Sequence, residues 1–294
     1  MGTRPLVGID IDTAVLSELF DPAGPLSPLE AGALLDASAV DFAILGGDVL
    51  DPRVAPEQRF DASVVAALLA ANSRRIGLVV AADPRVHHPY NLARRLASLD
   101  HLSGGRIGWL VGAGASSGPA EGVESLLDDA VTVARKLWES WPADSIVADR
   151  ERAVFVESER ITFIDHEGVF SVSGPLNVPE PPQRKLPVFR FSDTAPDSIA
   201  GAPDVVIVRG TDEGAHQQIL TLREVTWNGS WDVEAPERGG VVVRIRDVHD
   251  LESVATVAGP RPPGAGDTTL RERLGLPAAS RILSGHRRSL FPVS

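Results

Sequence analysis

The segment His87-His-Pro-Tyr-Asn-Leu-Ala-Arg-Arg-Leu-Ala-Ser-Leu-Asp-His-Leu-Ser-Gly-Gly-Arg-Ile-Gly-Trp-Leu-Val-Gly-Ala-Gly114 reads as a helix, a turn and a buried strand. Pro89 to Leu99 has helical spacing and ends near Asp100; Ser103-Gly104-Gly105 makes the turn, and Gly105 to Val111 is nearly all apolar. Moving outward, the same unit repeats. Upstream lie the runs Pro5–Ile11, Val40–Leu45 and Arg75–Val80, separated by the helix-like segments Pro28–Ala39 and Asp61–Ala71. Downstream, Val123–Trp138 places Leu126, Leu127, Ala130, Val133, Ala134 and Leu137 on one helical stripe, and Leu186–Phe191, Asp204–Val208 and Gly240–Ile245 follow as strands. Leu220–Trp227 is a weaker eighth candidate. Near-continuous apolar runs suit strands buried on both faces of a parallel sheet, and their alternation with helices gives an α/β class. Seven or eight such strands suit a (β/α)8 TIM-type barrel, for which about 250 residues is typical; an open doubly wound sheet is the competitor. Periodicity does not separate the two, and the strand count favours the barrel.

Composition narrows the function classes. The chain has 294 residues, no Cys, and 28 basic against 40 acidic side chains, a formal charge of −12. Without Cys there is no disulfide framework, thiolate nucleophile or Cys-ligated metal. An acidic chain is a poor general binder of nucleic acid, because neutralising phosphates needs a basic face. No apolar run reaches the roughly 18–20 residues of a membrane span, and the start of the chain has no signal-peptide pattern. A cytoplasmic protein is expected. No cluster of ligating side chains predicts a metal site.

Residues 1–294 read as one barrel domain with an insertion at about 139–185 and a C-terminal tail from about 260 to 294. In the insertion, Ala153–Glu157, Arg160–Ile164 and Val169–Val172 are expected as short antiparallel strands, the last two forming a hairpin around Asp165–Gly168. The tail is expected to pack on a neighbour. Arg94, Asp100 and Arg106 are placed to brace the Ser103 turn and the base of the following strand. These are structural tasks at the N-terminal end of a barrel strand.

The string from Pro89 to Trp109 closely resembles the luciferase-like flavin-dependent monooxygenases, within them the nitrilotriacetate and dibenzothiophene-sulfone monooxygenase group. Ile164–Pro179 is similar to that family's insertion hairpin, and Thr269-Leu-Arg-Glu-Arg-Leu-Gly-Leu-Pro277 to its C-terminal tail. The resemblance implies a barrel that binds FMN at the C-terminal ends of its strands. It also implies a partner reductase that supplies reduced FMN, and oxygenation of a small organic substrate with O2. Relatives that use the deazaflavin coenzyme F420 make that the alternative cofactor. A non-catalytic relative with a degraded flavin site, serving binding or assembly, is the alternative function.

The scaffold strings match the family pattern; the loops that would face the flavin depart from it. An acidic residue is usual after the second strand; here Leu45-Gly46-Gly47 intervenes and Asp48 comes late. After Trp109 the polar residues expected near the flavin are replaced by Leu110-Val-Gly-Ala-Gly114, and the sole tyrosine, Tyr90, lies in the structural string. After Leu186–Phe191, Ser192-Asp-Thr-Ala-Pro-Asp-Ser198 offers hydroxyls with two carboxylates that repel a phosphate. The cofactor-binding candidates are therefore Asp48, Gly112, Gly114, Ser116 and Ser192, the glycines through backbone N–H groups. His87 and His88 are the candidate catalytic residues, against a plain loop reading. His166 is read as a turn residue; His216, His249 and His286 as surface residues; and Trp138 and Trp141 as packing anchors. Relative to the family, the chain is short between Gly118 and Val123 and between Val208 and Gly240. Shortened crossovers leave apolar surface that favours a homodimer.

Overall fold

In a computed structural model, residues 4–51, 61–114, 122–193, 203–209, 219–229, 239–262, 268–284 and 287–291 are described. Eight parallel strands close on themselves in sequence order: β1 Leu6–Ile11, β2 Phe42–Leu45, β3 Gly77–Ala82, β4 Ile107–Val111, β5 Val188–Ser192, β6 Val205–Val208, β7 Leu220–Thr226 and β8 Gly240–Ile245. Closure is made by β1 against β8, with Leu6 opposite Gly240 and Ile11 opposite Ile245. This decides against the open sheet. The helices are α1 Thr13–Glu18, α2 Pro28–Ala37, α3 Ala62–Ala71, α4 Pro89–Ser103, α5 Val123–Glu139, α6 Val248–Ala258 and α7 Leu270–Arg273. The connections after β5, β6 and β7 span 193–204, 209–219 and 227–239, close to the minimum of about a dozen residues for a parallel crossover. Among the described residues no helix is long and apolar enough to cross a membrane.

Side-chain alternation along the strands builds two cores. One set, including Ile9, Ile11, Ala43, Leu78, Val80, Trp109, Val188, Val241 and Val243, packs outward against helix residues such as Leu35, Leu69, Leu96 and Leu137. The other fills the barrel with Phe42, Ile44, Val79, Leu110, Phe189, Ile207, Leu222, Val242 and Leu270. The floor is crowded. A Cβ at Gly8 would lie 2.3 Å from the Phe42 ring, and one at Gly77 would lie 2.6 Å from a Leu270 methyl. The Phe42 and Phe189 rings sit 5.4 Å apart and tilted, a favourable aromatic geometry.

The bracing expected around Ser103 is made by Asp100 and Arg106, without Arg94. Gly104 and Gly105 take positive φ and end α4; Asp100 accepts the Ile107 N–H at 3.1 Å and the Gln183 side-chain amide at 2.7 Å. Arg106 is buried and donates to the carbonyls of Ser103, Ile76, Ala70 and Ser73 at 2.7–3.2 Å. Arg94 lies exposed on α4 instead.

The described part of the tail packs on its own barrel. Thr269 caps α7 with a reciprocal Glu272 contact, Leu270 enters the floor, and Ile282 and Leu283 donate their N–H groups to buried Glu139. Lys185 pairs with Glu139 and donates to the Ser280 carbonyl. The antiparallel strands expected in the insertion reduce to single bridges, His166 with Val172, Asp149 with Val154, and Thr162 with Ser289 of the tail. Positive φ at Ala148, Ala153 and Asp165 interrupts the extended backbone between them. His166 is not a solvated turn tip. It is buried, with Nε2 2.8 Å from Asp129 and Nδ1 2.8 Å from the Lys136 ammonium, tying the insertion to α5. Trp138 is fully buried, as expected of an anchor.

Candidate functional site at the barrel mouth

Barrel enzymes place their chemistry at the C-terminal ends of the strands. In this chain the inward positions there are charged. Asp10 follows Gly8 on the inner face of β1; Glu224 follows Leu222 on β7; Arg244 follows Val242 on β8; Arg209 follows Ile207 at the end of β6. Asp12 and Asp51 join them from the segments after β1 and β2. Arg244 Nε lies 3.0 Å from Asp12 Oδ1, and its Nη1 3.4 Å from Asp51 Oδ2. Arg209 Nη1 lies 3.3 Å from the same Asp51 oxygen, its Nε 3.5 Å from Glu224, and its guanidinium carbon 3.4 Å above the Phe191 ring centre. Asp10 is wholly buried and accepts the Gly47 N–H at 3.2 Å.

This cluster is unevenly compensated. Burial, then the Asp12 and Glu224 carboxylates, push Asp10 well above the usual carboxylate range. Asp12 is also raised, chiefly by burial. For Arg244, burial works against the charged form, but the Asp12 hydrogen bond and surrounding carboxylates outweigh it and the guanidinium is strengthened. Arg209 goes the other way: burial outweighs Glu224, Asp51 and Asp10, and its contacts with Asp51 and Glu224 are long. Accordingly Asp10 Oδ2, Glu224 Oε1 and Arg209 Nε and Nη2 are buried without a hydrogen-bond partner.

On the opposite side of the mouth, Asp83 after β3 grips Arg85 at 2.9 Å, and Arg85 donates to the Gly114 carbonyl at 2.8 Å. Asp83 also accepts the Gly114 N–H at 3.1 Å, so that amide is committed to a carboxylate. A Cβ at Gly114 would lie 2.2 Å from the Val49 carbonyl, and one at Gly112 would touch Leu50: both glycines serve close packing of the loops after β2 and β4. Asp48 is buried and takes the Thr13 N–H at 2.9 Å and the Thr13 hydroxyl at 2.5 Å, holding the start of α1. Ser192 is half-buried at the end of β5, where its carbonyl accepts the Arg209 N–H at 2.9 Å. Ser116, His216 and His286 lie outside the described residues. His88 caps α4, its Nδ1 accepting the Tyr90 N–H at 3.2 Å, and its ring stands edge-on to Phe170. His87 is half-buried before it. Among the described residues no cluster of His, Asp and Glu could hold a metal ion.

Comparison with known proteins follows from this architecture. The luciferase-like monooxygenase family pattern matches residues 34–205, more than half of the chain. The chain belongs to that family. Along 274 residues this luciferase-like chain is 33% identical to one of the subunits of pristinamycin IIA synthase from Streptomyces pristinaespiralis, covering 89% of this chain and 94% of the relative. It is 36% identical over 140 residues to nitrilotriacetate monooxygenase component A of Aminobacter aminovorans, covering 44% of this chain and 31% of the relative. It therefore spans nearly the whole of the synthase relative and about a third of the nitrilotriacetate one. The solved EDTA monooxygenase of Chelativorans sp. BNC1 shares the fold, with a TM-score of 0.70 at 17% identity over 94% of this chain and 99% of that one.

The mouth network was not among the candidates drawn from the sequence. Its signal is nonetheless there: Asp10 and Arg244 stand inside otherwise apolar strands, and Glu224 in the more polar β7, all in phase with inward residues. A charge at such a position needs a partner, and closure of the barrel supplies one.

Proposed function

We propose that this luciferase-like chain is a subunit of a reduced-flavin- and O2-dependent monooxygenase that oxygenates a small organic substrate. One observation carries the reading: the end-to-end similarity to a protein whose name makes it one subunit of a synthase. The similarity to a monooxygenase component A supports a multi-component system, in which a separate flavin reductase supplies reduced FMN. The companion is a further subunit, and the assembly is dimeric and cytoplasmic, where reductases keep flavin reduced. The homodimer read from the sequence is a distinct outcome of the same experiment.

The test uses the full chain, tagged and purified from its own host with what accompanies it. The complex receives FMN, NADH, a flavin reductase, isotopically labelled O2 and a small-molecule extract of that host. Label from O2 is expected in an organic product, and native mass gives one tagged chain and one untagged companion per complex. A complex that turns O2 only into peroxide, with no label in any organic product, overturns the proposal.

A further inference from the structure

A flavin needs three things at a barrel mouth: a slot for its flat ring, donors for its phosphate, and a field that tolerates negative charge. The described mouth of this chain opposes each. The inward space is taken by Asp10, Asp51, Arg209, Glu224 and Arg244. Asp10 is fully buried, Asp51 is 1% exposed, and the side chains of Arg209 and Arg244 are 5% and 6% exposed. The Phe191 face, where a ring could stack, is covered by Arg209. The Gly114 N–H, which could have met a phosphate, is held by Asp83. Carboxylates outnumber guanidiniums in the cluster, and like charge at close range disfavours both a phosphate and an anionic reduced flavin. The described residues do not fit the cofactor.

From this we infer that an internal Arg–carboxylate plug, built from Asp10, Asp12, Asp51, Arg209, Glu224 and Arg244, fills the flavin's place in this barrel. The described mouth of this chain therefore offers a flavin no seat. The plug rests on this chain's own residues. The unpartnered buried atoms do not argue for a ring. Arg209 Nε and Nη2 are donors, Asp10 Oδ2 and Glu224 Oε1 can accept, and about one or two ordered waters balance them.

The purified full chain is titrated with FMN, with anaerobically reduced FMN and with F420, followed by calorimetry and by melting temperature. Dissociation constants above roughly 100 μM are expected for all three, with no rise in melting temperature at micromolar ligand. One-to-one binding tighter than that by any of them overturns the plug. Circular dichroism and a cooperative melt on the same sample exclude an unfolded chain as the cause of a negative result. In a second arm, the plug is tested directly. Arg244→Met removes the guanidinium that pairs with Asp12 at 3.0 Å, and it should lower the melting temperature by several degrees, whereas the paired exchange Arg209→Met with Glu224→Met should lower it less. Equal melting of all these variants and the wild type shows that the network does not fill the mouth, and overturns the inference. Oxygenation failing while the isolated chain still refuses flavin sinks the proposed function and leaves the plug standing.

Discussion

Replacing Leu270 by Ala probes whether the C-terminal tail is part of the barrel. Leu270 is fully buried among Phe42, Val79, Phe189 and Leu222, with its methyls pointing at Gly77 and Gly108. Truncating a buried Leu costs the transfer of its carbons plus the cavity left, about 3–5 kcal/mol where the walls do not relax. Here they are a closed ring of strands and a tilted Phe pair, so the upper part of that range applies. For 294 residues the unfolding entropy is about 0.6 kcal/mol/K, so roughly 4 kcal/mol corresponds to a fall of about 6 °C in melting temperature. Leu276, half-buried six residues on, is the control, and Leu276→Ala should cost less than about 1.5 kcal/mol. Leu270→Met keeps the volume and should also stay below about 1.5 kcal/mol. Urea unfolding of the full chain measures all three from the transition midpoints. If Leu270→Ala costs no more than Leu276→Ala, the tail is not seated in the floor and the reasoning fails.

Asp100 gives a pH signature: burial lifts its carboxyl from the ordinary 3.8 to about 6, against opposing hydrogen bonds from Ile107 and Gln183. The folded state keeps that proton longer than the unfolded one, so this contribution is complete below about pH 4. It is lost as pH rises through 6, about 3 kcal/mol in all. Asp100→Asn should flatten that fall in a urea series from pH 4 to 7; a stability difference between variant and wild type that is constant over this range refutes the assignment. Arg106→Lys should cost roughly 2–4 kcal/mol, because one ammonium cannot reach the carbonyls of Ala70, Ser73, Ile76 and Ser103 together. Urea unfolding indistinguishable from wild type would count against that bracing role. Lys185→Met leaves buried Glu139 without its cation and should cost about 3–5 kcal/mol, part of it recovered by adding Glu139→Gln. No recovery in the double variant would show that the pair is not coupled.

Much of the scaffold was legible because its signals are local. Apolar runs located the strands, including the weaker Leu220 candidate; Asp61 and Pro89 mark helix starts that the structure keeps, with Asp61 capping through its side chain. The string from Pro89 to Trp109 identified both the family and the turn. Expectations that depended on distant partners fared differently. The antiparallel strands of the insertion shrink to bridges: His166 pairs with Val172 across the expected hairpin, while Thr162 pairs with Ser289 of the tail. His166 has the local surroundings of a turn tip, and only α5 brings Asp129 and Lys136 to its two ring nitrogens.

What the sequence determined by itself was the class of the fold and the family. Those follow from period and local strings. Only the tertiary structure decided what stands at the mouth. Asp12 and Arg244 are 232 residues apart in the chain, and Arg209 and Asp51 likewise come from different strands' ends. Their charges acquire meaning only when β1 closes on β8 and removes them from water. Burial then makes each charge depend on its neighbours, and that dependence cannot be read from any single stretch of the chain.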